Sequence, residues 1–102
     1  MDYKDFESCG LKRALAMISG KWKPLILHIL FTHKEIRFDA LWKSMPKISK
    51  KVLAEHLKQM NEDGLISKRE EPSFPMGVYY SLSKKGKSLG PILSALDEFG
   101  LE

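Results

Sequence analysis

Ser49-Lys50-Lys51-Val52-Leu53-Ala54-Glu55-His56-Leu57-Lys58-Gln59-Met60-Asn61-Glu62-Asp63-Gly64 is the stretch on which the fold turns. Ser49 is a favoured N-cap, because its hydroxyl oxygen can accept from an unpaired N–H of the first helical turn. Gly64 supplies a stop, since glycine closes a helix in the left-handed conformation at least steric cost. At 100° per residue Val52, Leu53, Leu57 and Met60 share one face, while Lys51, Ala54, Glu55 and Lys58 share the opposite one. A helix of ~14 residues is about 21 Å long, and its width suits a groove ~12 Å across. One side seeks a core and the other presents cations around a small residue.

Upstream, Pro46 breaks the chain, and Ile36-Arg37-Phe38 is predicted as a short strand feeding a helix from about 39 to 44. Leu25, Ile26, Leu27, Ile29, Leu30 and Phe31 are apolar nearly all round, which predicts the most buried helix, with Pro24 in its first turn. Leu11, Ala14, Leu15 and Ile18 follow i, i+3, i+4, i+7 spacing, so a first helix is expected over about 11–19, stopped by Gly20. Residues 1–8 are expected to be a flexible N-terminus. Downstream, residues 65–69 and 78–82 read as strands flanking the turn-rich loop Pro72-Ser73-Phe74-Pro75-Met76-Gly77. Apolar Leu89, Ile92, Leu93, Leu96 and Phe99 predict one last helix over about 84–99. Leu101-Glu102 is set aside as a vector-derived scar.

The order is helix, helix, short strand, helix, helix, strand, loop, strand, helix. Three helices followed by a hairpin make a winged helix-turn-helix, an α+β, mainly helical fold whose second motif helix enters the major groove. One domain over 9–100 is expected, its first and last helices serving dimerisation. Leu11, Leu15 and Ile18, set against Leu89, Leu93, Leu96 and Phe99, form stripes too apolar to leave in water, which predicts a homodimer.

Net charge is +4, and its distribution matters more than its total. Lys43, Lys47, Lys50, Lys51 and Lys58 face only Glu55 over one stretch, and Lys84, Lys85 and Lys87 form a second group. A localised basic stripe suits duplex phosphates, where lysines release condensed counterions; a merely solvated helix face is the plainer alternative. No apolar run reaches the ~18 residues of a membrane span, and the acidic N-terminus lacks a signal-peptide stretch, so no membrane partner and a cytoplasmic location are expected. His28, His33 and His56 have no metal-ligand spacing, so neither metal nor cofactor is expected. His28 reads as a hydrogen-bonded core residue, and Trp22 and Trp42 as core or pocket walls. Ser44-Met45-Pro46-Lys47 and Ser81-Leu82-Ser83-Lys84 both match S-x-x-K but lack its companion motifs, so no enzyme is expected.

The chain from Cys9 to Gly100 resembles the HxlR-type winged-helix regulators, relatives of the MarR group. The resemblance is carried by Cys9, Gly20-Lys21-Trp22, Arg37-Phe38 with Leu41, Pro46 with Ile48-Ser49, Leu53 and Leu57. It continues through Gly64-Leu65, Pro72, Pro75, Val78 with Tyr80-Ser81-Leu82, and Gly86. It implies bacterial or archaeal homodimers joined through the first and last helices, acting on palindromic operators as repressors or activators. Carried onto this sequence, the recognition helix spans about 49–63 and contacts DNA through Ser49, Lys50, Lys51, Glu55 and Lys58, with Arg37 as a backbone contact. The wing departs from the family, which commonly has two prolines and a basic residue before the valine; here Pro75-Met76-Gly77 stands there, with Glu70 and Glu71 nearby.

In several HxlR-type proteins a cysteine at the position of Cys9 senses oxidants, quinones or aldehydes. Cys9 precedes a helix, where unpaired N–H groups and the dipole favour an anion, and Lys12 and Arg13 lie in the next turn. With no second cysteine, a disulfide must join two subunits or a small thiol; a purely structural thiol is the alternative, and Gly10 replaces the family's usual proline. The resulting expectation is a sequence-specific double-stranded DNA-binding transcriptional regulator, responsive to a small electrophile or oxidant through Cys9. A winged-helix protein-interaction module without DNA binding is the alternative, and it would turn apolar residues outward on the fourth helix.

Overall fold

Hydrophobic periodicity and the two helix stops resolve into nine elements in the computed structural model, which describes residues 9–102. They are α1 (Gly10–Ile18), α2 (Lys23–Phe31), β1 (Ile36–Arg37), α3 (Phe38–Lys43), α4 (Lys50–Glu62), β2 (Ile66–Glu71), β3 (Gly77–Leu82), α5 (Lys84–Lys87) and α6 (Gly90–Leu101). This is a winged helix-turn-helix, mainly helical with one small sheet. The flexible terminus expected at residues 1–8 lies outside the described residues.

The core forms where the apolar faces of α2, α3 and α4 meet the inner face of the sheet. Ile26, Leu27, Leu30, Leu41, Leu53, Leu57 and Met60 are all essentially inaccessible, and Ile36, Ile66, Tyr80 and Leu82 close the sheet side. The sheet order is β1-β3-β2, antiparallel throughout. Ile66 pairs with Leu82 and Glu71 with Gly77 across the hairpin, while Ile36 and Arg37 add a two-residue edge opposite Tyr80 and Tyr79. A two-residue strand suffices here because Ile36 drops into the core and Phe38 already begins α3.

The expected last helix is two helices. Pro91 has no N–H to donate to the Lys87 carbonyl and its ring would crowd that carbonyl, so α5 ends and the chain restarts as α6 with Pro91 in the first turn. Leu101 is the final residue of α6. Two expected interface residues also change role: Ile18 and Leu93 are buried in this chain's own core, because α1 and α6 each turn one edge of their stripe inward. His28 is not the hydrogen-bonded residue expected; its Nδ1 is buried without a partner. In α2, Leu25 and Phe31 remain partly exposed, and the Phe31 ring occupies the space that a side chain at Gly90 would need.

One corner fixes α4 against the β2–β3 hairpin. Gly64 takes φ +77° at the end of α4, and the carbonyls that follow are held by the start of α5. Ser83 donates its hydroxyl to the Gly64 carbonyl at 2.6 Å and its N–H to the Leu65 carbonyl at 3.0 Å. The same hydroxyl accepts from the Gly86 N–H at 3.0 Å, capping α5, while Lys85 Nζ donates to the Asp63 carbonyl at 3.3 Å. Among the described residues no single helix is long and apolar enough to cross a membrane.

Candidate nucleic-acid interface

The turn between α3 and α4 sets the direction of α4. It passes through Lys47 at φ +78°, a conformation few non-glycine residues adopt. Trp42, half-buried on α3, donates its Nε1–H to the Ile48 carbonyl at 2.9 Å and so ties the turn to the helix before it. Ser49 caps α4 as its sequence position implies, its hydroxyl oxygen accepting from the Val52 N–H at 3.1 Å. Lys50 Nζ then sits 4.7 Å over the centre of the Trp42 ring, which restrains an otherwise mobile charge.

Beyond the cap, α4 buries Leu53, Leu57 and Met60 and exposes Lys50, Lys51, Ala54, Glu55 and Lys58. Five of the six expected contact residues at the motif therefore share an accessible arc or its cap: Ser49, Lys50, Lys51, Glu55 and Lys58. His56 borders the buried side, with Nδ1 enclosed and unpartnered. Desolvation pushes its imidazole below the ordinary value near 6.5, and the charge of Lys23 adds to that effect.

Arg37, the sixth, sits apart on β1, beside the loop end of the wing. It is half-buried, donates from its guanidinium to the Met76 carbonyl, and packs so closely on Gly77 that a Cβ there would lie 2.8 Å from Nε. Two adjoining hollows run from α4 along the wing. One, of about 360 Å³, is bounded by Ala54, Lys58, Asn61, Glu62 and Lys68; the other reaches Arg37, Met76 and Gly77, and Lys68 and Tyr80 line both.

The wing stem balances its own charges. Arg69 grips Glu35 with two N–H···O bonds of 3.0 and 2.8 Å, reaches Glu71 at 3.3 Å, and lies 4.4 Å over the Tyr79 ring. Lys68 pairs with Glu70 at 3.4 Å. The Arg69 hydrogen bonds hold Glu35 below its ordinary value, while Glu71 is lowered first by the Ser73 hydroxyl and N–H and then by Arg69. These exposed pairs add little stability one by one, but they occupy the cations of the wing stem.

The chain matches the model of the HxlR-like helix-turn-helix family over residues 17–102. It belongs to that family. The HxlR-like chain is 40% identical over 87 residues to the HTH-type transcriptional regulator YdzF of Bacillus subtilis, covering 85% of this chain and 80% of that one. A MarR-family transcriptional regulator structure from Porphyromonas gingivalis superposes with a TM-score of 0.88 at 34% identity, covering 94% and 93% of the two chains. The reduced form of the redox regulator HypR does so with a TM-score of 0.84 at 27% identity, covering 90% of each. The HxlR-like chain is thus a transcriptional regulator of helix-turn-helix type, and its relatives are named as regulators rather than as enzymes.

Away from α4, the HxlR-like chain leaves two apolar faces in water. Leu11 and Leu15 project from α1, and Ile92, Leu96, Phe99 and Leu101 from α6. Leu89 is half-buried against the core. Cys9 is the N-cap residue of α1, half-buried, with its carbonyl accepting from the Arg13 N–H at 3.1 Å and its thiol taking no part in the cap. Among the described residues no three His, Cys, Asp or Glu side chains converge as a metal site would require. Sequence reasoning read Trp42 as a core or pocket wall, where it packs half-buried, without its bond to the Ile48 carbonyl, and it missed the Glu35–Arg69–Tyr79 clamp. An indole N–H near a turn needs an acceptor, which was a usable signal for Trp42; the clamp joins Glu35, just ahead of β1, to β2 and β3 across long sequence distances and had none.

Proposed function

We propose that this regulator binds double-stranded DNA as a homodimer, one α4 in the major groove of each half of a pseudo-palindromic operator, in the cytoplasm. The exposed arc of α4 carries the proposal: three lysines, a small Ala54 and one carboxylate stand outward from a helix whose other side is sealed into the core. Lys51 and Lys58 reach base edges or phosphates, and Ala54 admits a thymine methyl. Glu55 accepts from a cytosine amino group. Lys50, held over Trp42, and the N-terminal dipole of α4 favour phosphate, as does Ser49 at the cap. Arg37 offers its remaining N–H groups to the backbone beside the wing. A protein-docking module without DNA binding would need an apolar outer face on α4, and this face is polar.

The exposed faces of α1 and α6 support the dimer. Leu11, Leu15, Ile92, Leu96 and Phe99 form the interface, with Leu89 at its edge, while Ile18 and Leu93 stay in the protomer core. Burying each large side chain contributes about 1.5–3 kcal/mol. Two recognition helices then present about one helical turn apart, ~34 Å.

The test uses the purified full chain to select from a pool of randomised duplexes. Lys51→Ala is expected to weaken the selected duplex by about 1–3 kcal/mol if Lys51 reads a base. If it touches only phosphate, the salt slope falls by about 1 for all duplexes alike. Unchanged affinity at every salt concentration removes Lys51 from the interface, and a monomer by light scattering at micromolar concentration removes the dimer.

The likeness to HypR favours one addition, a thiol response at Cys9. Two Cys9 thiols of a dimer would join as a disulfide, giving two protons and two electrons to a peroxide or quinone, or one would take up an electrophile. Because α1 also carries Leu11 and Leu15, either change tilts one subunit against the other and alters the spacing of the α4 helices. Operator affinity that is the same before and after mild oxidation would refute this, with Cys9→Ser as the unresponsive control.

A further inference from the structure

A wing that holds DNA by charge carries cations at its tip, and residues 72–76 of this one include no lysine or arginine. Lys68 is paired with Glu70, and Arg69 is engaged by Glu35 and Glu71. The Arg37 guanidinium reaches in from β1, gives one N–H to the Met76 carbonyl and keeps its others for the backbone beside the wing. What the tip presents instead is apolar: Phe74 is 98% exposed and Met76 71%.

The tip is also held. Ser73 donates both its N–H and its hydroxyl to Glu71, the Arg37 guanidinium fixes the Met76 carbonyl, and prolines stand on either side of Phe74 within two residues. Ordering costs on binding are therefore largely met in the free protein. The tip is continuous with the recognition surface, because the hollow beside α4 and the hollow reaching Met76 share Lys68 and Tyr80. The apolar faces that suit a second copy of the chain lie elsewhere, on α1 and α6.

We infer that the wing reads DNA through this apolar tip. Phe74, supported by Met76, enters the minor groove flanking each half-site and wedges against a base step, bending the duplex. Apolar side chains of these types partly unstack base steps and kink the helix toward the major groove. Pyrimidine–purine steps open at least cost, so the wing adds selectivity at flanking positions through deformability rather than hydrogen bonds. The inference rests on the DNA-binding role of α4, and its contribution is independent of salt because no counterion is displaced.

The experiment uses the full chain and the duplex it selects, with 2-aminopurine placed in turn at the steps flanking each half-site. Wild-type protein is expected to raise fluorescence at one flanking step and to bend the duplex. Phe74→Ala, at a position too exposed to affect folding, is expected to lose both signals and about tenfold in affinity at an unchanged salt slope. Phe74→Trp keeps both signals, and Met76→Arg instead steepens the salt slope by about 0.9 and strengthens non-specific binding. If Phe74→Ala matches wild type in affinity, bend and fluorescence, as a protein-docking tip would, the wedge is overturned. Lys51→Ala measured alongside then tells whether the α4 role survives. If wild-type protein selects no duplex at all, both fall together.

Discussion

Gly86→Ala strikes the corner that sets the angle between α4, the proposed recognition helix, and the wing. A Cβ at Gly86 would overlap the Leu65 carbonyl oxygen and stand 3.1 Å from its carbon and 3.2 Å from Leu82 Cδ2. The obstacle is backbone, so no side-chain rotation relieves it. Overpacking of this kind costs about 1–3 kcal/mol. Relief by moving α5 outward would also stretch the 3.0 Å Ser83 N–H to Leu65 carbonyl bond, worth about 1 kcal/mol. Against this, alanine in a helix regains up to about 1 kcal/mol over glycine. The net is a loss of about 1–3 kcal/mol. At 4–8 °C per kcal/mol for a domain near this size, the expected fall in Tm is roughly 8–16 °C at the centre of that range. Circular dichroism melts at equal protein concentration measure it, since dimerisation couples to stability. Gly10→Ala is the control, a helical glycine with open space around it and an expected Tm at or slightly above wild type. Operator affinity of Gly86→Ala should also fall, because the corner aims α4. A Gly86→Ala melt within about 2 °C of wild type would refute the packing argument.

Three further outcomes follow from the site's geometry. Trp42→Phe keeps an aromatic ring but removes the bond to the Ile48 carbonyl and part of the packing, so stability should fall by about 1 kcal/mol or more in urea titrations and affinity for the selected duplex should weaken with it. Gly77→Ala drives a Cβ to 2.8 Å from Arg37 Nε; the guanidinium must leave the Met76 carbonyl, and hydrogen exchange of the wing amides is expected to speed up while α4 amides do not change. For pH, His56 has a folded value lowered by burial, so the native state prefers it neutral. Its contribution is complete above the unfolded value near 6.5 and is lost as pH falls below that toward the folded value. His56→Leu should flatten the stability profile in that window. Glu35 and Glu71, also lowered, act further down: their contribution is present above about 4.5 and lost as pH falls through their folded values.

What could be read from the sequence was whatever rests on periodicity and on local backbone chemistry. Ser49 as a cap, Gly64 as a stop and the division of α4 into a buried and a charged side are all set within sixteen residues, and all three appear in the structure. Pro91 was equally local, and attention to its missing N–H would have divided α5 from α6. The remaining differences depend on long-range geometry. A stripe such as Leu11, Leu15 and Ile18 is a single feature in sequence, yet α1 lies at an angle that sinks Ile18 into the core and leaves Leu11 outside. Periodicity identifies an apolar face without saying whether this chain or another covers it. Arg37 makes the same point for charge. Its position beside the recognition motif suggested a contact with the DNA backbone, but sheet register brings it to Met76, thirty-nine residues away, and commits part of its guanidinium to the wing. A charged side chain can be counted for DNA only after its internal partners are known. By that standard Lys51 and Lys58 stand ready on α4, whereas Arg69, its donors committed to Glu35 and Glu71, does not.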